Sequence, residues 1–295
     1  MNNSGMIIKC VAGVYDVLID GKVFSAVAKG NFRNKNLTPL VGDKVNVLFS
    51  QREDEQNLIT EILPRKNALL RPPVANVDTL LITLAVKKPN PDLKLADHLI
   101  CYSRMMDIEP IICINKSDFD EEQAKELAIQ FEKSKIRAFI TSSVNNDGVD
   151  ELRNAINTGI TCFSGQSAVG KSSLTNLLLG REMFQTGSLS KKTERGKHTT
   201  RHSELVEFSK GKFLADTPGF SLLEMPEFSP EDFKNLYYEF DEFSQECRFN
   251  GCNHINEPDC AVKQAVEDGI LSKERYERYK ELYFEVNEKW RKRYD

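Results

Sequence analysis

The sequence has no apolar run that approaches the roughly 20 residues a helix needs to cross a bilayer. Its first residues, Met1 to Gly5, lack the basic region and apolar stretch of a signal peptide. It carries no lipidation motif, no internal repeat and no low-complexity segment. We therefore expect a cytoplasmic protein with no membrane association.

A strong excess of charge is also missing. The chain has 40 basic and 44 acidic residues, which gives a net charge of −4. This balance argues against indiscriminate coating of nucleic acid, although it is compatible with local basic surfaces. The 295 residues are 40% hydrophobic and 28% charged, as is typical of a soluble protein with two or three domains. We expect a monomer.

The seven cysteines do not indicate a disulfide framework, because their number is odd and three of them lie close together with a histidine. The other four lie in apolar, strand-like contexts, where buried cysteine is common. Those four are Cys10, Cys101, Cys113 and Cys162. We expect them to belong to the core.

The first 66 residues contain several short strand-like runs, at positions 14–19, 23–28 and 44–49. The turns Asp20-Gly21 and Gly42-Asp43 punctuate them. Short strands in so small a segment predict a β-barrel at residues 1–66, with an OB fold favoured. The segment from Lys29 to Lys35 is basic and carries one aromatic residue. It suits a loop that contacts RNA, and a solvated hairpin loop is the alternative.

Strand-like and helical segments alternate from the Pro72-Pro73 pair to about residue 222. Strands are predicted at 79–86, 110–115, 138–141, 160–163 and 212–215, and helices at 92–105, 121–133, 148–157 and 172–179. This order predicts a mostly parallel α/β sheet for residues 67–222. The remaining segment, 223–295, is helical and rich in loops, and it ends in a charged helix.

A glycine-rich loop follows the predicted strand at 160–163. It has the pattern G-x-x-x-x-G-K-S and comprises Gly165, Gln166, Ser167, Ala168, Val169, Gly170, Lys171 and Ser172, with Ser173 next. The backbone N–H groups of such a loop wrap the β-phosphate of a nucleotide. We expect Lys171 to reach the β and γ oxygens and the Ser172 hydroxyl to bind Mg²⁺.

A second motif, N-K-x-D, ends the strand at 110–115 and comprises Asn115, Lys116, Ser117 and Asp118. A carboxylate at Asp118 can accept hydrogen bonds from the ring N–H and the amino group of guanine. Adenine offers no such donors there. Lys116 is expected to pack over the base and Asn115 to tie the loop to neighbouring backbone. Ser142, after the next strand, fits a second guanine-contacting loop, although Ser143 stands where a small apolar residue is commoner.

The order of the two motifs is reversed relative to an ordinary GTPase, in which the phosphate loop precedes the base-reading motif. Here the base-reading motif comes about fifty residues earlier. The sequence therefore predicts a circularly permuted GTPase that binds GTP and GDP.

Two further segments complete the predicted catalytic set. Asp216 and Gly219 belong to a D-x-x-G motif, which holds Mg²⁺ through water and contacts the γ-phosphate. The basic segment 191–202 is expected to be the first switch, with Thr200, or alternatively Thr199, binding Mg²⁺. It either contacts RNA or is a solvated loop. His198 is the candidate for positioning the attacking water, with a solvated residue or an RNA contact as the alternatives.

The clustered cysteines have the spacing of a metal site. Cys247, Cys252, His254 and Cys260 offer three thiolates and one imidazole within fourteen residues. This set fills a tetrahedral Zn²⁺ shell and leaves no position for water or substrate, which is typical of structural zinc.

The barrel, the permuted GTPase and the Cys₃His segment together resemble the RsgA family, also called YjeQ or YloQ. The resemblance covers essentially the whole chain. It implies a bacterial GTPase that acts late in maturation of the small ribosomal subunit. It also implies an OB fold that binds ribosomal RNA, a zinc domain that contacts the particle, GTPase activity stimulated by the subunit, and hydrolysis that times release.

Two other functions compete with a ribosome-activated enzyme. One is a GTP-gated RNA-binding module in which hydrolysis is incidental. The other is an ATP-dependent P-loop kinase, against which the base-reading motif argues. The effect of ribosomal particles on turnover distinguishes the first two functions.

Overall fold

The computed structural model describes residues 3–30, 32, 37–52, 55–70, 72–180, 204–216 and 229–292. The chain divides into two compact units. The first unit contains Met1–Leu80, Ile156–Phe163 and Thr175–Phe220. The second contains Leu81–Ala155, Ser164–Leu174 and Ser221–Asp295. The division at residues 66 and 222 stays a prediction.

The N-terminal part of the first unit is a closed five-stranded barrel. Its strands are β1 (Asn3–Val11), β2 (Val14–Ile19), β3 (Lys22–Ala28), β4 (Lys44–Leu48) and β5 (Asn57–Ile62). They pair in the order β1-β2-β3-β5-β4, and β4 pairs again with β1. Closure leaves this barrel without a free edge, which confirms the predicted barrel.

Local sequence explains how the barrel strands form. Alternate residues of β2 (Tyr15, Val17 and Ile19) are buried, as expected of a strand with one face on a core. The turn to β3 uses Asp20 and Gly21 with φ values of 48° and 77°. Two residues with positive φ match the hairpin turn that suits the twist of paired strands.

The first unit also contains strands outside the barrel. A short hairpin, β6 (Ala68–Leu70) and β7 (Pro73–Ala75), precedes β8 (Val77–Ala85), of which only the residues up to Leu80 belong to this unit. The later strands are β11 (Gly159–Ser164), β12 (Glu204–Ser209) and β13 (Lys212–Asp216). β13 is parallel to β11 and antiparallel to β12. β12 is antiparallel to β1, where Lys9 and Glu204 form an ion pair of 2.9 Å.

The second unit contains the base-reading half of the α/β fold. β9 (Glu109–Asn115) lies beside β8 and is parallel to β10 (Ala138–Ile140). The helices are α1 (Leu93–Met105), α2 (Glu121–Glu132), α3 (Val149–Ala155) and α4 (Lys171–Leu179), of which α4 begins in this unit. β8 and β9 are buried over nearly their whole length, as is typical of parallel strands covered on both faces.

The C-terminal segment of the second unit is helical. It contains α5 (Pro230–Lys234), α6 (Asp241–Ser244), α7 (Ala261–Glu267) and α8 (Lys273–Arg291), with a 3-10 helix at Tyr238–Phe240. Its core is aromatic. Phe233, Tyr237, Phe240 and Tyr279 contact one another, with ring centroids 4.7 to 5.9 Å apart. Among the described residues, no helix is long and apolar enough to span a bilayer.

Candidate nucleotide and zinc sites

The phosphate loop has a backbone path that only glycine permits at two positions. Gly165 and Gly170 have φ values of 127° and 101°. A Cβ at Gly165 would lie 2.1 Å from the Thr83 carbonyl oxygen, and one at Gly170 would lie 2.2 Å from Asn115 Nδ2. Both contacts are far below van der Waals distance. The glycines therefore let the loop lie against β8 and against the base-reading motif.

The Lys171 side chain is held in place by backbone carbonyls of the phosphate loop. Its Nζ donates to the carbonyl oxygen of Gly165 at 2.8 Å and to that of Gln166. Burial lowers the pKa of the Lys171 ammonium to about 8. These carbonyls fix the ammonium at the mouth of the loop, at the N-terminus of α4, where anions are favoured.

Because burial lowers the pKa of Lys171, we expect nucleotide binding to be accompanied by uptake of a proton in mildly alkaline solution. Phosphate oxygens favour charged Lys171, so binding raises a pKa that is about 8 in the free protein. GDP affinity should be constant below that pH and fall at most about tenfold per pH unit above it. Calorimetry at about pH 8.5 in buffers of different ionisation enthalpy measures the uptake.

Lys171→Arg is the control for this pH dependence, because a guanidinium stays charged throughout the range. The variant should bind GDP with no proton uptake at this site. Equal uptake by the variant and the wild type would assign the proton to another group.

Asn115 joins three segments of the second unit. It is fully buried at the end of β9. Its Nδ2 donates to the Val169 carbonyl oxygen at 2.9 Å and to Ser143 Oγ at 3.2 Å. Its Oδ1 accepts from the Ser143 backbone N–H and from Thr141 Oγ1. The phosphate loop and the two base-facing loops are thus fixed relative to each other.

Asp118 presents its carboxylate in a defined orientation. It lies in the 3-10 helix Ser117–Phe119 and is exposed to solvent. One oxygen, Oδ1, accepts a 2.7 Å hydrogen bond from the hydroxyl of buried Ser142. Lys116, in the left-handed region at φ 63°, donates to the carbonyl oxygens of Ala168 and Lys88. The base-reading motif therefore contacts the phosphate loop at a second point.

Gln166 connects the phosphate loop to α1. Its Oε1 accepts a hydrogen bond of 3.1 Å from the Asp92 backbone N–H. Asp92 caps α1 by accepting from the Leu95 N–H at 2.9 Å. The sequence places Gln166 in the loop but gives no sign of this contact.

Within the second unit, the structure brings together the predicted base-reading and phosphate-loop residues. Ser167, Ala168, Val169 and Gly170 complete the phosphate loop, and Ser172 and Ser173 lie in the first turn of α4. Asp216 ends β13, whose Ala215 lies opposite Cys162 of β11. His198, Thr199, Thr200 and Gly219 lie outside the described residues. Their roles stay predictions.

The Cys₃His set converges on one point. All four ligand atoms lie within 4.8 Å of one another. Cys247 Sγ is 3.8 Å from Cys260 Sγ and 3.6 Å from His254 Nδ1. Two sulfurs about 2.3 Å from a tetrahedral Zn²⁺ are about 3.8 Å apart. The cluster therefore fits a structural zinc site with four protein ligands.

Burial prepares His254 for metal binding, and neighbouring side chains hold its loop in place. Burial lowers the pKa of His254 to about 4, so the imidazole is neutral and offers a lone pair. The loop backbone is fixed by two tyrosines of α8. Tyr276 and Tyr279 donate to the carbonyl oxygens of His254 and Asn253, each at 2.7 Å. The site is thus built onto the aromatic core of the C-terminal segment.

A buried ion network joins this segment to α1. Asp97 of α1 accepts from Arg275 and Arg278 of α8. Glu239 accepts from Arg275 and from Arg104, the latter at 3.3 Å. Asp97, Arg275 and Glu239 are at most 2% exposed. Breaking such a buried pair typically costs about 3–5 kcal/mol, so the network fixes how α1 meets the C-terminal segment.

Comparison with known proteins identifies the family. A profile described as RsgA GTPase matches residues 62–226, and one described as RsgA N-terminal domain matches residues 4–59. A protein of Caldanaerobacter subterraneus named "Small ribosomal subunit biogenesis GTPase RsgA" is 43% identical over 291 residues, 98% of each chain. One of the same name from Agathobacter rectalis is 40% identical over 295 residues, covering 96% of this chain and 98% of the relative.

Two solved structures extend the likeness to the fold. The crystal structure of YloQ, described as a circularly permuted GTPase, superposes with a TM-score of 0.81 at 34% identity, covering 98% of this chain and 96% of YloQ. YjeQ from Thermotoga maritima gives 0.80 at 31% identity, covering 97% and 99%. The predicted combination of barrel, circularly permuted GTPase and Cys₃His segment is confirmed. The chain belongs to the RsgA GTPase family, whose members are GTP hydrolases.

Proposed function

We propose that this GTPase binds the small ribosomal subunit, acts late in its maturation, and is released when it hydrolyses GTP. The observation that carries the proposal is the direct contact of the base-reading motif with the phosphate loop, through Asn115 and Lys116, in a chain with the permuted order. The choice of the small ribosomal subunit as the partner rests on the names of the relatives. In this proposal the subunit stimulates hydrolysis.

Each part of the site has a role in this proposal. Asp118 reads the guanine, and Lys171 stabilises charge on the transferred phosphoryl group. Mg²⁺ bound with GTP would be held by Ser172, Thr200 and Asp216, and Gly219 would contact the γ-phosphate. A Zn²⁺ at the Cys₃His cluster stabilises the C-terminal segment. The barrel binds ribosomal RNA, and the protein acts as a cytoplasmic monomer.

Unassisted hydrolysis is expected to be slow. Many GTPases place a glutamine just after the D-x-x-G motif to orient the attacking water. This chain has Phe220 there, and phenylalanine cannot hydrogen-bond water. His198 lies in the basic segment 191–202 and can accept a proton from water near neutral pH. Contact of this segment with RNA would position the His198 imidazole beside the attacking water.

The intrinsic GTPase rate should be roughly that of unassisted small GTPases, about 10⁻⁴ to 10⁻³ s⁻¹. Purified small subunits should raise this rate by orders of magnitude. His198→Ala should remove most of the stimulation and leave GTP affinity unchanged. The measurement is phosphate release with and without subunits. Large subunits serve as the particle control, and His202→Ala serves as the matched histidine control.

Three outcomes of this experiment, read together with cosedimentation of the protein with subunits, separate the candidate functions. Stimulation that persists in His198→Ala would remove the proposed role of His198 only. Binding of subunits with no stimulation would favour the GTP-gated RNA-binding module. Absence of binding would contradict both functions.

Base selectivity should depend on the Asp118 carboxylate. Asp118→Asn should weaken GDP binding about 10- to 100-fold, because a charge-assisted hydrogen bond to the base is lost. The amide presents a donor that matches the extra carbonyl of xanthine, so preference should shift toward xanthosine diphosphate. Competition binding measures both. Ser142→Ala is the control: it loosens the carboxylate but should keep the guanine preference. A guanine preference in Asp118→Asn would refute the role.

A further inference from the structure

A groove of about 570 Å³ lies in the C-terminal segment, beside the Cys₃His cluster. Helices α6 and α7 and the loop after α7 form its walls, and Phe243, Ala261, Ala265 and Ile270 give it apolar surface. Ile270 is 54% exposed, and Phe243 is half-buried. An exposed isoleucine beside a phenylalanine is a place where one bulky apolar side chain of a partner can be buried.

The rim of this groove is acidic. Glu246, Asp259, Glu267 and Asp268 line it, together with the cation Lys263. A second cation, Lys133, donates to the Gly269 carbonyl oxygen at 2.8 Å in the loop after α7. Arg248 offsets Asp259 through an ion pair of 2.7 Å. Within the described residues, the other three carboxylates form no ion pair. The groove therefore keeps a net negative charge, with four carboxylates against Lys263, Lys133 and Arg248.

One of these carboxylates, that of Glu267, does not stabilise the helix that carries it. Glu267 is the last residue of α7, and Asp268 is its C-cap. The C-terminal end of a helix carries partial negative charge, which disfavours acidic side chains there. Asp268 Oδ1 accepts a hydrogen bond of 3.0 Å from Gln264 Nε2 of the same helix, so only Glu267 lacks an explanation in helix stability.

The surrounding segment is acidic as well. Residues 229–270 contain ten aspartates and glutamates, all but the buried Glu239 outside the core, and only three lysines and arginines. Such a surface repels the phosphate backbone of RNA, for which basic surfaces are required. It attracts cationic protein segments, because complementary charge steers and orders protein association.

We infer that this groove binds a lysine- and arginine-rich protein segment that buries one bulky apolar side chain between Phe243 and Ile270. The inference rests on the proposed function, because it places that segment on a protein of the small subunit. The C-terminal segment then contacts protein at this point, whereas the basic segments elsewhere in the chain contact RNA.

Charge reversal tests the inference by the sign of its effect. One variant combines Glu246→Lys, Glu267→Lys and Asp268→Lys. The matched control combines Glu122→Lys, Glu126→Lys and Glu132→Lys, three exposed positions of α2. Affinity for purified small subunits is measured with a non-hydrolysable GTP analogue. At about 0.15 M salt, the groove variant should bind at least about tenfold more weakly, and the control equally or more tightly.

The outcomes separate the inference from the proposed function. If the groove faces RNA, added positive charge should tighten binding, so a groove variant that binds as well as or better than the wild type overturns the inference alone. Wild-type protein that fails to bind subunits overturns the proposed function and the inference together. Equal zinc content in the three proteins verifies that the C-terminal segment is folded.

A second measurement shows directly whether the groove contacts protein or RNA in the complex with the subunit. A benzophenone amino acid at Gln264, an exposed residue of the groove wall, is irradiated in the complex with subunits. A crosslink to a subunit protein is expected, and Ile270→Ser in the same background should reduce its yield several-fold. A crosslink to ribosomal RNA, or no crosslink at all, overturns the inference.

Discussion

Replacement of Lys171 with alanine should lower the single-turnover rate of GTP hydrolysis by about 100-fold or more. The side chain is half-buried at the phosphate loop, where few water molecules can take over its charge. Its ammonium is fixed by the Gly165 and Gln166 carbonyls before the nucleotide arrives, so little reorganisation is needed to meet the phosphoryl oxygens. The measurement is phosphate release with protein in excess of GTP, at a concentration that saturates binding.

Affinity must be measured separately, because the same contacts shape the loop. Lys171→Ala also frees the Gly165 and Gln166 carbonyls, so GDP binding should weaken along with turnover. Lys125→Ala is the matched control, since Lys125 is an exposed lysine of α2 that pairs only with Glu121 among the described residues. A near-normal saturated rate in Lys171→Ala would show that this loop is not catalytic.

The phosphate loop could be predicted from sequence because its requirements are local. The positive φ values at Gly165 and Gly170 demand glycine, and the contacts of a Cβ with Thr83 and Asn115 reinforce that demand. The predicted strands and helices also lie within a few residues of the observed ones. The helix predicted from Asp92, for example, begins at Leu93 because Asp92 is its cap.

The hydrogen bond between the base-reading motif and the phosphate loop could be predicted only in part. The motif predicts that Asn115 holds neighbouring backbone, and its partner, the Val169 carbonyl, is 54 positions away. Two loops that bind one nucleotide must approach each other, which is why the approach is predictable. The link from Gln166 to the cap of α1 carries no sequence pattern, because glutamine at that position has many potential partners.

The buried ion network could not be predicted in the same way, because charged residues in helices are usually solvated. One signal is present. Asp97 lies between Ala96 and Leu99 on the apolar face of α1, where a carboxylate needs a partner. Its partner Arg275 is 178 residues away in a helix of mixed charge, so no local pattern identifies it. The pairing follows from tertiary packing alone.

Loss of the zinc site should unfold the C-terminal segment. The double variant Cys252→Ala with Cys260→Ala removes two of four ligands, and we expect it to bind no zinc. A structural zinc site contributes on the order of 10 kcal/mol or more, comparable with the whole stability of a domain. Cys252 and Cys260 also belong to the aromatic core, so their loss loosens the packing around Tyr279. Elemental analysis and hydrogen exchange are the measurements.

Hydrogen exchange should show how far this unfolding extends. Residues 229–292 should lose protection, and α1 should lose it too, because its buried Asp97 and Arg104 are paired with that segment. GDP affinity should change by less than about tenfold, since the described hydrogen bonds of Asn115 and Asp118 are made within the nucleotide site.

A cysteine control separates loss of metal from loss of a thiol. Cys10→Ala changes a partly exposed cysteine of β1, distant in sequence from the cluster, and should keep one equivalent of zinc. If the double variant retains zinc, the ligand assignment is wrong. If it loses zinc while α1 keeps full protection, the ion network does not couple the two elements. Loss of GDP binding would mean that the stability of the nucleotide site also depends on the zinc-stabilised segment, through α1 and its contact with Gln166.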